Sequence, residues 1–521
     1  MDHAPERRLV PVVLVCVAVF CSGPTVAQDL VKHFWSGTLT AASIRVNVMV
    51  DTLCTSIRLV ADDDPQWASP LYSQPGSITD TTGGMVHLGL SGLDPGTHYG
   101  YRFEVNGTID TSGSRTGRFR TPDEGPMAFT FVVGSCNTDG NHPVWQSMGL
   151  SQPLFFLSTG DLHYADPNST DVQVHRDAYE SQVYTRPSMM DLLHSTPIAY
   201  VWDDHDFCGD LSTSAAIGKG SAARAYREHV PHYPLADDTA VYQAFTIGRV
   251  RFILSDMRSE KTDSAMMSEE QYAWLKSELL QARDSGLVAC WATPLTWNAI
   301  DYPENWGSRP EERTALSDWM RANAINDLFI LCGDAHMLAI DDGANGDFST
   351  GQDSPYRYPV FQAAAINRGG SYKGGTFNQG GYFTNPSDQY GQFGEVVVED
   401  DGLDVCITFT GWRTDSMSAD LSLVNSYTFC RTPTIVSISA LEHGSVARGI
   451  VRDGVLELSW PTCAGTGEVE LLDMTGRMLT KRTVQWSNGQ ARMPLPALAQ
   501  EVVIAHAAAG GQSTTLRIFI P

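Results

Sequence analysis

Positive charge is in short supply: 35 Lys and Arg stand against 60 Asp and Glu in 521 residues, a formal net charge of −25. Neutralising phosphates along a nucleic acid or an anionic membrane takes clustered basic side chains, so no nucleic-acid scaffold is expected as a partner. Phosphate chemistry on such a chain would need metal ions. Long apolar runs are also few. Leu9 to Cys21 is the longest candidate, shorter than the roughly 20 residues of a membrane helix, and no later run approaches that length. No two of the 10 cysteines form a C-x-x-C pair, which disfavours a zinc ribbon or a thioredoxin-like motif. No internal repeat indicates a solenoid.

What is present begins with Arg7 and Arg8 before that apolar run and Gly23-Pro24-Thr25-Val26-Ala27-Gln28 after it. A charged segment, an apolar segment and small residues in this order read as a signal peptide over residues 1–27, with no transmembrane anchor in the mature chain. Export permits disulfides, and Cys406 with Cys430 is a candidate pair.

Three textures follow. From Phe34 to about residue 122 the chain alternates with period two between Gly, Asp and Pro turns, as in Ser43-Ile44-Arg45-Val46-Asn47-Val48. This indicates a small antiparallel sandwich. Residues 127–412 instead carry short apolar runs ending in polar clusters, with helical segments between them, the pattern of a layered α/β domain. Runs at Ala128–Val133, Leu154–Leu157, Ile198–Val201, Arg251–Leu254, Leu287–Trp291 and Leu328–Leu331 are predicted strands. Ser268 to Ala282 is a predicted helix, opened by a capping-box pattern at Ser268 and Gln271. After a linker at 413–435, residues 436–521 alternate again and form a third, all-β unit.

Each central strand ends in residues of metal-binding type: Gly134-Ser135-Cys136, Gly160-Asp161-Leu162-His163-Tyr164, Trp202-Asp203-Asp204-His205-Asp206, Ser255-Asp256-Met257-Arg258 and Gly333-Asp334-Ala335-His336. One acidic strand end is commonplace, but several in one sheet would meet at a single edge.

These strings resemble the calcineurin-like metallophosphoesterases, and within them the alkaline phosphatase D family. Gly160-Asp161 matches the segment that supplies a bridging carboxylate. Asp203-Asp204-His205-Asp206 matches the Gly-Asn-His-Asp segment with Asp204 in place of Asn, and Gly333-Asp334-Ala335-His336 matches Gly-His-x-His with Asp334 in place of the first His. Trp202, Gln271-Tyr272-Ala273-Trp274-Leu275 and Gly391-Gln392-Phe393-Gly394 belong to the same likeness. The leading module, through Leu93-Asp94-Pro95-Gly96-Thr97-His98-Tyr99-Gly100-Tyr101, resembles fibronectin type III strand-entry turns. The implied architecture is multidomain: a fibronectin-III-like β-sandwich at 34–122, an α/β four-layer (αββα) sandwich at 127–412 and a small C-terminal β-sandwich at 436–521.

The likeness implies an exported phosphatase or phosphodiesterase that hydrolyses phosphate esters with a hydroxide activated by two metals. Cys136, Asp161, Tyr164 and His336 offer a mixed thiolate, carboxylate, phenolate and imidazole set suited to ferric iron. Gly160-Asp161-Leu162-His163-Tyr164-Ala165-Asp166 is also similar to the purple acid phosphatase motif, whose Tyr binds Fe(III). Asp161, Asp204 and Asp334 offer oxygens only and favour a hard divalent cation, Ca²⁺ first, with Mg²⁺ and Mn²⁺ as the alternatives. Relatives carry a further His ligand where this chain has Thr293-Pro294-Leu295-Thr296-Trp297-Asn298, which leaves the amide of Asn298 as the donor there. His205 is the expected transition-state stabiliser or acid, and Arg258 the expected cation on the phosphoryl oxygens. His163, His175, His194, His229 and His232 are read as structural.

Val469-Glu470-Leu471-Leu472-Asp473-Met474-Thr475-Gly476-Arg477, with Leu495-Pro496-Ala497-Leu498 and a terminal strand from Thr514 to Ile520, resembles the sorting domain of type IX secretion substrates. The implied partner is a secretion machinery, and the implied location the outer surface or surroundings of a bacterium. A monomer is expected. The alternatives are a phospholipase-D-like or nucleotide diesterase on the same fold, and a noncatalytic cell-surface binding protein.

Overall fold

The structure is a computed structural model that describes residues 29–300, 303–351, 358–371, 373–383, 390–415, 418–433, 448–452, 455–460, 465–472, 478–487, 489–495, 502–509 and 512–519. Residues 1–27, expected to be a signal peptide, and Asp473 to Arg477, Pro496 to Leu498 and Ile520 lie outside the described residues.

Two large sheets face each other. One has nine strands in the order 422–431, 405–414, 391–400, 129–134, 156–158, 198–200, 31–37, 43–50, 85–91. The other has seven, in the order 243–247, 250–254, 288–293, 328–332, 360–363, 337–341, 379–383. The central strands 288–293 and 328–332 of the second sheet are buried along their whole length and apolar on both faces, as strands covered on both sides must be. Phe252 and Leu254, Cys290 and Ala292, and Phe329 and Leu331 turn to the core between the sheets. Ile253, Trp291 and Ile330 turn outward. Rings close the interior: Phe131 meets Phe252 at 5.3 Å and Phe361 stacks on Phe409 at 4.6 Å.

Helices cover the outer faces. Glu269–Asp284 and Pro310–Ala322 lay Leu275, Leu279, Leu316 and Met320 against Ile253, Trp291 and Ile330. Ser268 caps the first of them by accepting from the Gln271 amide at 3.0 Å. The Gln271 side chain does not close the capping box; it bonds the Asp256 amide (2.8 Å) and carbonyl (3.0 Å), holding the end of the neighbouring strand. On the other face, Trp145 of helix Val144–Met148 meets Phe156 edge-on at 5.7 Å.

The first strands differ from the expected separate module. Val31–Gly37 pairs in parallel with the 198–200 strand through Gly37 and Ile198, and Ser43–Val50 and Met85–Ser91 continue that sheet outward. The alternation that marks these strands is local, whereas the choice of partner is a tertiary one. The strands 57–62, 71–72, 98–105, 108–109 and 117–120 form a sheet of their own. Cys406 and Cys430 form a disulfide between directly opposed residues of adjacent strands. Toward the C-terminus, a three-stranded and a four-stranded sheet share one apolar core that includes Leu456, Trp460, Val469, Trp486 and Ala505. Among the described residues no helix is long and apolar enough to cross a membrane.

Candidate metal centre

The strands 129–134, 156–158 and 198–200 are mutually parallel, as are 250–254, 288–293 and 328–332. Their carboxyl ends therefore deliver the polar clusters to one edge, where ligands bind in such sheets. Cys136 (φ 61°), Asp161 (φ 51°) and Asp334 (φ 61°) all lie in the left-handed region. Non-glycine residues held there cost of order 1–3 kcal/mol each, and such strain gathers at functional sites. Cross-links fix the turns: the Cys136 amide donates to Gly160 O (3.3 Å), the Asn137 amide to Asp161 O (2.8 Å) and the Ile366 amide to Ser135 O (2.7 Å). Glycine is required where the turns crowd. A Cβ on Gly160 (φ 100°) would overlap the Cβ and amide nitrogen of Asp203, and one on Gly333 would lie 2.7 Å from Thr159 O.

Asp161 is the common member of two ligand groups. Its carboxylate, the Cys136 thiol and the His336 imidazole have donor atoms within 4.8 Å of one another, and so do the donors of Asp161, Asp204 and His205. Tyr164 joins the first group, its hydroxyl donating to Asp161 Oδ2 at 2.7 Å and lying 3.3 Å from His336 Nε2. His336 Nδ1 donates to the Gly369 carbonyl at 2.6 Å, which leaves Nε2 as the donor atom toward the cluster. Asp204 is held by the amides of His205 (2.9 Å) and Leu211 (2.7 Å). His205 Nδ1 bonds Asp166 at 2.6 Å.

Asp334 belongs to neither group. Its Oδ1 faces Lys373 Nζ at 3.4 Å, and Lys373 also bonds Glu304 at 2.8 Å. Arg258 differs from its expected role. Its guanidinium is fully buried, bonded to Asp203 and, at 3.0 Å, to Glu304, with Asp204 at 3.5 Å. It is absent from the lining of the cavity over the site. Asn298 is absent from that lining too: its Nδ2 donates to Thr376 O at 3.2 Å. The cavity holds about 250 Å³, and Asp161, Asp204, His205, Glu304, Asp334 and His336 line it together with Asp210, Arg368, Gly369, Gly370, Ser371 and Lys373. Sequence reasoning missed Glu304, Lys373, Arg368 and Asp166: Glu304 and Lys373 lie in loops, Arg368 sits two residues past the run that ends at Ile366 but is not a metal-ligand type, and Asp166 stands in the 160–166 string without a role of its own. A larger cavity of about 960 Å³ lies at the amino-terminal ends of the strands, beside Phe129 and Leu154, and contains none of these residues.

The donor set fits metal ions. Asp161 Oδ1 and Asp334 Oδ2 are buried with no hydrogen-bond partner, which in a carboxylate this crowded is costly unless a cation is bound. Burial raises the Asp161 carboxyl well above the usual range, and the charges of Asp204, Asp203 and Asp206 raise it further. Burial, followed by the Asp161 charge, likewise raises the Cys136 thiol and the Tyr164 phenol. Burial lowers His336 to about 4, keeping its imidazole neutral. A bound cation reverses this logic for each acidic group and uses the neutral imidazole as a ligand.

Comparison with known proteins bears on the family and the fold. The model of the PhoD-like phosphatase family matches residues 129–399. Alkaline phosphatase D of Bacillus subtilis (strain 168) is 22% identical over 309 residues, covering 48% of this chain and 53% of that protein. Purple acid phosphatase 15 of Arabidopsis thaliana is 25% identical over 277 residues, 49% of this chain and 50% of that one. The chain thus spans about half the length of the curated relatives it matches. Among solved structures, that of PhoD superposes with a TM-score of 0.62 at 15% identity, covering 79% of this chain and 93% of the other. Purple acid phosphatase PPD1 from yellow lupin (Lupinus luteus) gives 0.52 at 13% identity, covering 76% and 74%. These two likenesses bear on the fold.

Proposed function

From the premise that this chain belongs to the PhoD-like phosphatase family, we propose that it is an exported, metal-dependent hydrolase of phosphate esters. The observation that carries the reading is Asp161, shared by two ligand groups, with one buried oxygen left without a partner. Cys136, Asp161, Tyr164 and His336 would hold Fe(III), and Asp161 and Asp204 a divalent cation, Ca²⁺ first, with the His205 imidazole that lies beside those two carboxylates kept for the proton. Asp334, expected from sequence as a ligand of that cation, enters this second set once Lys373 gives way. Ions bound there would supply a water of lowered pKa and polarise the phosphoryl oxygens.

The remaining steps belong to side chains. Asp166 fixes the His205 ring through Nδ1, so the proton that leaves toward the ester oxygen of the departing group is held at Nε2. Arg258, locked among Asp203, Asp204 and Glu304, positions carboxylates and touches no substrate. The test is elemental analysis of the purified protein, coupled to hydrolysis of p-nitrophenyl phosphate and bis-p-nitrophenyl phosphate before and after chelation. Iron with calcium, and turnover abolished by chelation, is the expected result. A protein inactive on both esters after reconstitution would remove the reading.

The N-terminal leader and the C-terminal unit extend the proposal to a location. The alternating strands of residues 448–519, with their own core, support a type IX sorting role at an outer cell surface. Deleting residues 436–521 should then leave the enzyme folded but retained inside the producing cell.

A further inference from the structure

We infer that Arg368 is the residue that grips the phosphoryl oxygens of the substrate, the role that Arg258 is too deeply buried to fill. The inference rests on the phosphoesterase reading above and names a substrate-binding group within that site. The cavity lining is mostly anionic, with Asp161, Asp204, Asp210, Glu304 and Asp334 around it. With ions bound among the ligands, Asp210 and Glu304 still face the cavity, and a side-chain cation in the lining would add to the ions' hold on an anionic ester. Among the described residues, the lysine and arginine of the lining are Lys373 and Arg368. Lys373 lies 2.8 Å from Glu304 and 3.4 Å from Asp334 and offers a point charge with no fork to match two phosphoryl oxygens. Arg368 lies with its guanidinium 4.5 Å from the centroid of the Tyr164 ring, on the same side chain whose hydroxyl bonds Asp161.

The segment that carries Arg368 is built for precision. Asn367 Oδ1 accepts from the amides of Thr138 (2.7 Å) and Asp139 (3.0 Å), and its Nδ2 donates to Asn137 Oδ1 (2.9 Å) and Asp139 O (2.7 Å). On the other side, the Gly369 carbonyl takes the His336 Nδ1 proton at 2.6 Å. Arg368 is therefore clamped between the turn that follows Cys136 and the ligand His336. A planar guanidinium on a fixed backbone matches two phosphoryl oxygens at once, which an ammonium does not.

The experiment uses the metal-loaded protein as wild type, Arg368→Met and Arg368→Lys. It measures inorganic phosphate binding by calorimetry, KM and kcat on p-nitrophenyl phosphate, and metal content. We expect Arg368→Met to weaken phosphate binding and raise KM by about tenfold or more at unchanged metal content, with Arg368→Lys recovering part of the loss. Phosphate binding equal to wild type in Arg368→Met, with wild-type hydrolysis intact, would overturn the inference and leave the reading standing. Loss of metal in Arg368→Met, with phosphate binding restored on reloading, would also overturn it, reducing Arg368 to a prop for Tyr164. A wild type that neither hydrolyses the ester nor binds phosphate would instead overturn the reading itself.

Discussion

Arg258 and Asp203 form a fully buried ion pair at the junction of the two sheets, the guanidinium donating to Asp203 from Nε and to Glu304 from Nη2. Burial alone would raise Asp203; the Arg258 charge opposes it, and the carboxyl comes to rest at about 6. On Asp204 and Glu304 burial is the largest influence and pushes the carboxyls up, but Arg258, together with His205 and the amides of Leu211 and His205 on Asp204, and together with Lys373 on Glu304, holds both below the usual carboxylate range. One cation thus keeps three carboxylates in place.

Arg258→Met should consequently behave as a lesion of the scaffold. Breaking a buried pair leaves uncompensated charge, at a cost of about 3–5 kcal/mol. Urea unfolding should show this loss, and metal affinity should fall with it because Asp204 loses its partner. If the variant unfolds like wild type and only KM rises, Arg258 contacts substrate after all.

Asp161 and His205 should separate by their metal content. Asp161→Asn removes the shared carboxylate and is expected to lose bound metal and turnover together. His205→Ala should retain metal and lose about 10²- to 10⁴-fold in kcat. Asp166→Asn, which alters the carboxylate bonded to the His205 ring, should fall between His205→Ala and wild type. Elemental analysis beside steady-state kinetics reads all three, and equal kcat in His205→Ala would take that residue out of the mechanism.

Acid should destabilise the fold through its buried histidines. His229 is fully buried, bonded at Nδ1 to the Tyr184 hydroxyl at 2.9 Å, and burial lowers it from 6.5 to about 3. Between those values the unfolded chain binds a proton that the native one refuses, so stability falls as pH drops through this window. The loss from this site is about 1.4 kcal/mol per pH unit. Urea midpoints at pH 7.5 and 4.5 should differ less in His229→Gln than in wild type. A pH dependence identical in the two proteins would count against a neutral buried His229.

Much of the site is legible in sequence because a parallel strand converts a position in the chain into a position in space. Cys136, Asp161, Tyr164, Asp204, His205, Asp334 and His336 each follow an apolar run, and the strand ends meet. Arg258 follows such a run as well, yet its burial depends on Glu304, a loop residue whose path no local pattern encodes. Lys373 is hidden for the same reason; Arg368 follows the apolar run ending at Ile366 but is not a metal-ligand type, and nothing local in the 160–166 string shows that Asp166 meets His205. The thiol and carboxylate donors were readable as types; the partition of Asp334 toward Lys373 required the fold. In the leading β unit the strands are visible from alternation, but the pairing of Gly37 with Ile198 joins residues far apart in sequence and leaves no local trace.

The glycine before Asp161 offers the sharpest test of how closely the turns must approach. At Gly160 the backbone is in a conformation that side chains rarely adopt (φ 100°), and an added Cβ would press on Asp203, whose partner is Arg258. Gly160→Ala should therefore carry about 1–3 kcal/mol of backbone strain and, in addition, push the Asp161 turn away from the Asp203 turn. Metal affinity and thermal stability are expected to drop together, since one displacement disturbs both. Gly89, on the outermost strand of the nine-stranded sheet, has nothing within 4 Å of an added Cβ. Gly89→Ala should hold metal normally and gain roughly 0.4–1 kcal/mol from a less free unfolded chain. A Gly160→Ala protein that binds metal like Gly89→Ala would mean that the two turns have room to spare, and the overlap of the ligand groups at Asp161 would need another explanation.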